Sequence, residues 1–248
     1  MPRKSRIYSE SQMYHVIMRG NNTQILFYDD KDRLYFLTHL RKYAEDLQID
    51  IFSYCLMSNH IHLAIGNATP SVSRFIQKLA TSYAMYFNRK YERSGHLFQG
   101  RFKSEPIETE KYLKTVIRYI LQNPIKAHVC TFQKYKWSSY NETVFFKKNK
   151  IVNLNKLYDF FDGKDKYINF INAIDSEVCM EYENKRYLSD LHCISLIKQL
   201  VKISPAKLNS LTNKKQLMYS IKIMKTAGMN NSQIIRLTGL PRKLVLNA

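Results

Sequence analysis

The stretch IDIFSYCLMSNHIHLAIGN, residues 49–67, decides how the rest of the chain is read. It divides into two apolar runs, IDIFSYCLMS and HIHLAIGN, which read as two strands joined by a tight turn at Ser58-Asn59. Side chains on a strand alternate between faces at about 3.3 Å per residue, so His60, His62 and Ala64 share one face and Ile61, Leu63 and Ile65 the other. The two imidazoles then stand roughly 6–7 Å apart at their Cα atoms. At that separation both rings can converge on one ion or one phosphate. They can equally be two hydrogen-bonded histidines on a half-exposed strand, and the pair alone does not choose.

The flanking segments supply the architecture. MYHVIMRG (13–20) is a short alternating run ending at a glycine, a strand. DDKDRLYFLTHLRKYAEDLQ (29–48) opens with acids suited to a helix N-terminus and places Leu34, Leu37, Leu40, Ala44 and Leu47 on one stripe. PSVSRFIQKLATSYAMYFNRKY (70–91) is a second helix, with Val72, Phe75, Ile76, Leu79, Tyr83 and Tyr86 along a face and Pro70 near its start. SGHLFQGRFKSEPIE (94–108) is an extended segment with a loop. EKYLKTVIRYILQNPIKA (110–127) is a third helix, expected to end close to Asn123 because Pro124 follows. The order strand, helix, strand, strand, helix, strand, helix is an α+β pattern of the split, ferredoxin-like kind around an antiparallel sheet.

Charge narrows the partner. The 248 residues carry 39 Lys and Arg against 20 Asp and Glu, a net charge of +19. That excess points to a polyanion, nucleic acid before a membrane surface. No acid occurs between Asp50 and Glu92, the stretch that contains the histidine pair. The start, MPRKSRIYSESQ, lacks the apolar core of a signal peptide, and no apolar run approaches transmembrane length. Cys55, Cys130, Cys179 and Cys193 lie far apart without a CxxC pair, so they read as free thiols in a reducing cytoplasm.

Composition shifts near FFKKNKIVNLNK, residues 145–156. The expected division is a first domain over 1–145, a helical linker or extension over 146–190, and a basic helical region over 191–248. The last of these has ten Lys or Arg and no acid. There Leu217, Ile221 and Met224 lie on one helix face. Ile234, Ile235 and Leu237 lie on a short second helix, and Gly239 and Pro241 introduce a last one. Two helices joined by a glycine turn make a helix-turn-helix, with Arg242 and Lys243 at the exposed start of the second. An ordinary helical bundle fits the same pattern, and the absence of acids favours DNA binding.

In VIRYILQNP, Tyr119 and Asn123 are four residues apart and therefore one turn apart on one helix face. Tyr119 falls at the flank of the apolar stripe Leu113, Val116, Ile117 and Ile120. A tyrosine there is either a core-edge residue or a nucleophile for a phosphodiester whose charge a cation neutralises. His60 and His62, with Asn123 as an oxygen ligand, would suit magnesium or manganese with waters completing the shell.

Taken together, YHVIMRGNN (14–22), LFYDDKDRLYFL, YCLMSNHIHLAI, YFNRKYERSGHLFQGRFKS, YLKTVIRYILQNPIKAHV and WSSY (137–140) resemble the REP-associated tyrosine transposases. These are a branch of the single-tyrosine HUH transposases of insertion sequences, and the likeness covers roughly residues 8–145. The resemblance implies a divalent metal at the His-hydrophobic-His motif, here His60 and His62, completed by Asn123. It implies Tyr119 as the nucleophile, a ferredoxin-like fold, and cleavage and rejoining of single-stranded, hairpin or repeat DNA through a 5′-phosphotyrosine. Arg101, Lys103 and Arg118 are the candidates for phosphate positioning, or else solvated surface charge. The expected partner is DNA and not a membrane, with the protein a monomer or homodimer. Two rival readings are a DNA-binding regulator that keeps the fold without cutting, and a metal-dependent phosphodiesterase.

Overall fold

The computed structural model describes residues 7–145, 150–173, 190–201, 203, 208, 213–227, 229 and 231–246. They form two compact units, Met1–Tyr182 and Glu183–Ala248.

The first unit runs β1 (Tyr14–Arg19), α1 (Asp30–Asp46), β2 (Asp50–Leu56), β3 (His60–Gly66), α2 (Val72–Lys90), β4 (Lys103–Pro106), α3 (Glu110–Lys126), α4 (Tyr140–Phe145), α5 (Leu154–Phe160) and α6 (Lys164–Asn172). Its first seven elements follow the order expected from the sequence. The strands form one sheet in the order β2-β3-β1-β4, with every neighbouring pair antiparallel, which is the ferredoxin-like arrangement. β1 is therefore parallel to β2, and β3 to β4. Right-handed crossovers between parallel strands put both α1 and α2 on the same face of the sheet.

Register then sorts the side chains. Val16 lies opposite Leu63, Met18 opposite Ile61 and Tyr14 opposite Ile65, an apolar set on one face. His15 lies opposite Ala64, Ile17 opposite His62 and Arg19 opposite His60 on the other. The apolar set joins Phe36, Leu40 and Ala44 of α1, and Val72, Phe75, Ile76, Leu79, Tyr83 and Phe87 of α2, in one buried core.

Three expectations about the helices are corrected. On α1 the buried ridge is Asp32, Phe36, Leu40 and Ala44, spaced by four, whereas Leu34 is exposed. Asp32 is on that ridge because it closes a capping box with Asp29 and accepts from Lys90, Tyr86 and Tyr91. On α2 the last buried position is Phe87 rather than Tyr86. α3 does not stop at Asn123 but runs through Pro124 to Lys126. An interior proline gives up the bond its missing N–H would have made and crowds the carbonyl one turn back, yet the helix continues past Pro124. The next bonds re-form, Ala127 N–H to the Asn123 carbonyl at 3.0 Å and Val129 N–H to the Pro124 carbonyl at 2.9 Å.

The remaining elements close the unit. Residues 137–139 lie along the outer edge of β2, with Leu56 N–H donating to the Trp137 carbonyl and Ser139 N–H to the Tyr54 carbonyl, each within 3.0 Å. That covers an otherwise open strand edge. Val152, Leu154, Leu157, Phe161, Tyr167 and Ile171 are buried in the same core, so the helical extension expected after residue 145 packs into the first unit over 150–173. Cys55 and Cys193 are buried and Cys130 half-buried, none of the three in a disulfide, while Cys179 lies outside the described residues.

The second unit contains α7 (Asp190–Val201), α8 (Lys214–Thr226), α9 (Asn231–Thr238) and α10 (Arg242–Leu246). Cys193, Ile197, Leu217, Ile221, Met224, Ile234, Leu240 and Val245 make a separate core. Gly239 adopts a positive φ of 68° between α9 and α10, the backbone state that glycine enters without steric cost. Pro241 stands immediately before α10, and its carbonyl accepts from Leu244 and Val245 N–H. Arg242 and Lys243 are both exposed. No helix among the described residues is long and apolar enough to cross a membrane.

Candidate active site

The face of the sheet that α1 and α2 leave open is covered by α3, and this is where polar groups are buried. His15 is 0% exposed, His62 3%, Tyr119 6% and Asn123 6%. Burial on that scale disfavours charge, so uncompensated polar groups there call for partners. They find them chiefly in one another.

Tyr119 leaves α3 towards the strands. Its ring centroid lies 5.9 Å from that of His15 and 5.7 Å from that of His62, edge-on to both. One turn later, Asn123 Oδ1 lies 3.2 Å from His60 Nε2. The His60 and His62 rings are 5.0 Å apart at their centroids and nearly perpendicular. His60, His62, Tyr119 and Asn123 therefore stand together, with the helix supplying the pair that its spacing put on one face and the hairpin the other pair.

Three further groups join them that the sequence pattern did not single out. His15 Nε2 is 3.1 Å from His62 Nδ1. Lys126, on the turn of α3 beyond Pro124, holds its ammonium 4.0 Å from the centre of the Tyr119 ring, a cation–π distance. Asn59, in the turn before β3, holds its Oδ1 2.7 Å from His60 Nδ1. The signal for His15 was present in MYHVIMRG, an imidazole within an apolar strand like the other two. Its pairing with His62 depends on the β1–β3 register, which no local pattern specifies. Lys126 was hidden by the expectation that α3 ends at Asn123.

The electrostatics keep the buried rings neutral. Burial pushes the His15 pKa down to about 3. His62 is likewise held well below the usual histidine value, by burial first and then by His15, His60 and Lys126. Neutral imidazoles offer lone pairs, which is the state a metal ligand needs.

Whether these residues suit a divalent ion can be tested on hydrogen-bond roles. Asn59 Oδ1 accepts only, so in the neutral ring the His60 proton sits on Nδ1 and Nε2 carries a lone pair. That lone pair faces Asn123 Oδ1, another acceptor, while Asn123 Nδ2 is buried with no hydrogen-bond partner. Two acceptors then face each other, a conflict that a cation between them resolves, as does a half-turn of the Asn123 amide that brings Nδ2 onto the lone pair. The donor set fits. Among the described residues no three His, Cys, Asp or Glu side chains are grouped to hold an ion, so a third ligand beside His60 and His62 would have to be the Asn123 amide.

The other predicted contacts lie elsewhere. Arg101 is exposed in the segment before β4 and lines a cleft of about 380 Å³ with Arg19, Gln77, Thr81, Gln99 and Phe102. Lys103 pairs with Ile17 at the start of β4. Arg118 is neither solvated nor beside Tyr119. It is buried, with its guanidinium carbon 4.2 Å from the centre of the Phe170 ring of α6. Successive helix residues point about 100° apart, which turns Arg118 away from its neighbour's site. Arg242 and Lys243 belong to the second unit.

The chain is similar in part to known proteins. A family model for IS200-like transposases matches residues 8–123. Among solved structures, a REP-associated tyrosine transposase bound to a REP hairpin superposes with a TM-score of 0.50 at 17% identity, covering 66% of this chain and 97% of that one. A protein of Deinococcus radiodurans R1 assigned as a transposase covers 51% of this chain and 97% of its own, at 20% identity and a TM-score of 0.34. No curated protein matches the chain.

Proposed function

We propose that this chain, whose residues 8–123 match a model of the IS200-like transposases, cuts and rejoins single-stranded DNA with Tyr119 as its nucleophile. One observation carries the reading: the Tyr119 ring stands within 6 Å of His15 and His62, and the Asn123 one turn later meets His60. Tyr119 Oη attacks the scissile phosphorus in line, the bond from phosphorus to the 3′ oxygen breaks, and the phenolic proton ends on that oxygen. The products are a 5′-phosphotyrosine and a free 3′-hydroxyl. A second 3′-hydroxyl reverses the step on a new strand, with no high-energy cofactor because the ester conserves the bond. His60, His62 and Asn123 would hold a magnesium or manganese ion, which polarises the phosphate and stabilises charge on its oxygens. The Lys126 ammonium adds positive charge beside the nucleophile. Arg101 and Lys103 are the candidates for holding the flanking phosphates.

The substrate in this reading is hairpin or repeat DNA with a single-stranded flank. The net charge of +19 supports a polyanion, and the structurally similar REP-associated transposase binds a REP hairpin. The second unit is the other DNA contact, with α9 and α10 as a helix-turn-helix and Arg242 and Lys243 at the start of its second helix.

Incubation with end-labelled hairpin DNA and magnesium or manganese, resolved on a denaturing gel, tests the proposal. A labelled band at the protein's mass supports it. Retention on a native gel alone marks a non-cutting regulator, and a free hydrolysis product without an adduct marks a phosphodiesterase.

A further inference from the structure

His15 lies outside the set His60, His62, Asn123 and Tyr119, yet it is the most deeply buried polar ring of the site. Its environment on β1 is asymmetric. On one side its Nε2 meets His62 Nδ1 at 3.1 Å. On the other, its Nδ1 faces Glu105 Oε2 at 3.9 Å and has no hydrogen-bond partner. Glu105 lies directly across from His15 in the β1–β4 register, and Tyr112 O–H donates to the same Oε2 at 2.8 Å. The line Tyr112–Glu105–His15–His62 thus runs from the first turn of α3, across two strands, to a proposed metal ligand.

We infer that Glu105 and His15 are positioning residues that set the tautomer of His62, leaving its Nε2 bare for a divalent ion. The inference rests on the reading of His60, His62 and Asn123 as the metal ligands. It follows from proton bookkeeping along the line. A neutral imidazole has one N–H and one lone pair. The carboxylate of Glu105 is too far for a direct hydrogen bond, but its negative charge favours the His15 proton on the nearer nitrogen, Nδ1. His15 Nε2 is then an acceptor, and only His62 Nδ1 can donate to it. With its proton committed to Nδ1, His62 keeps a lone pair on Nε2. The opposite polarity would put an N–H on His62 Nε2 and abolish it as a ligand. Asn59 constrains His60 in the same sense, with its Oδ1 2.7 Å from Nδ1. The two histidines are thereby prepared alike by different neighbours. Such outer partners fix ligand orientation, and their loss typically lowers metal affinity 10–100-fold.

The test uses the full chain and two readouts besides DNA cleavage. Ring-nitrogen chemical shifts of metal-free protein at neutral pH report the His62 tautomer, and titration with manganese alone reports affinity through broadening of the His60 and His62 resonances. The wild type is expected to carry the His62 proton on Nδ1. His15→Gln keeps a side-chain acceptor at the same reach and is expected to preserve both tautomer and affinity. His15→Leu fills the space without an acceptor. It is expected to shift His62 towards the Nε2–H tautomer and weaken manganese binding about 10–100-fold. Glu105 is partly exposed, so Glu105→Gln tests the line without threatening the core and is expected to mix the two tautomers with a smaller loss. If wild-type His62 is protonated on Nε2, or His15→Leu keeps tautomer and affinity, the inference is overturned while the metal reading stands. If the tautomer is as expected but manganese leaves both histidines unbroadened, the metal reading fails, and the role given to His15 fails with it.

Discussion

The two units of this chain use charge and polarity in opposite ways. The first buries its polar groups, with His15, His62, Tyr119 and Asn123 beneath one helix on one face of a sheet whose other face is apolar. The second packs an apolar core around Ile197, Ile221, Met224, Ile234 and Val245, buries Ser220, Gln233 and Thr238 but no ring of titratable groups among its described residues, and exposes Arg242 and Lys243. Burying a polar group costs free energy unless it is paired, and a buried arrangement holds reacting groups in fixed geometry. Surface charge costs little to place and acts on any polyanion within about a Debye length. The first pattern suits chemistry and the second suits holding.

If the units divide the work in this way, the largest effect comes from the buried nucleophile. Tyr119→Phe keeps the ring's packing and removes the hydroxyl. It is expected to abolish the covalent adduct with hairpin DNA while leaving native-gel affinity nearly unchanged. An adduct that survives would transfer the role to another tyrosine, with Tyr112 tested next. His60→Ala and His62→Ala come second, with loss of metal-dependent cleavage and retention of the far-ultraviolet circular dichroism of the fold. Cleavage by either variant at the wild-type rate, at the same metal concentration, removes the metal assignment.

Removing the second unit is the third test. Ending the chain after Tyr182 keeps 150–173, whose Leu157, Tyr167 and Ile171 are fully buried in the first core. The shortened protein is expected to form the adduct on a short hairpin but to bind longer DNA more weakly. For every phosphate that the second unit neutralises, its removal should flatten the slope of log affinity against log salt by about 0.7 to 0.9. An unchanged affinity and slope would make the second unit a structural or protein-binding module. Arg242→Ala is the smallest expected effect. If Arg242 reads guanine, preference at one base relaxes by about 1–3 kcal/mol, whereas a uniform loss over all sequences marks a phosphate contact.

The order of elements in the first unit was readable because its periodicities are strong. Period two in HIHLAIGN and the i, i+3, i+4 spacing in RFIQKLATSY leave little ambiguity. The site was readable to the extent that its residues are close in sequence, His60 with His62 and Tyr119 with Asn123. What escaped depended on contacts distant in sequence. His15 meets His62 across 47 positions through strand register. Arg118 reads as a surface charge until α6 folds back and puts Phe170 against it. Leu34 and Phe36 compete for the same helix, and Phe36 wins because it shares a ridge with Asp32, which Tyr86 and Lys90 of α2 hold inward. Pro124 reads as a stop because the rule for the residue before proline is local, whereas the burial of Asn123 and Pro124 that carries α3 onward is not.

α3 carries Tyr119, Asn123 and Lys126 on a single hydrogen-bonded rod. This sets how the gene can vary. One codon inserted between Thr109 and Tyr119 advances every later side chain by about 100° and 1.5 Å, removing nucleophile, amide and ammonium from the site at once. The stretch just after α2, around Gly95 with open space beside it, has no such phase to keep, whereas Leu97 and Gln99 are hydrogen-bonded to Asn21 and Arg19. Length variation among descendants of this chain is therefore expected to accumulate between Tyr91 and His96 and to be purged from α3, even at positions there where substitution is tolerated.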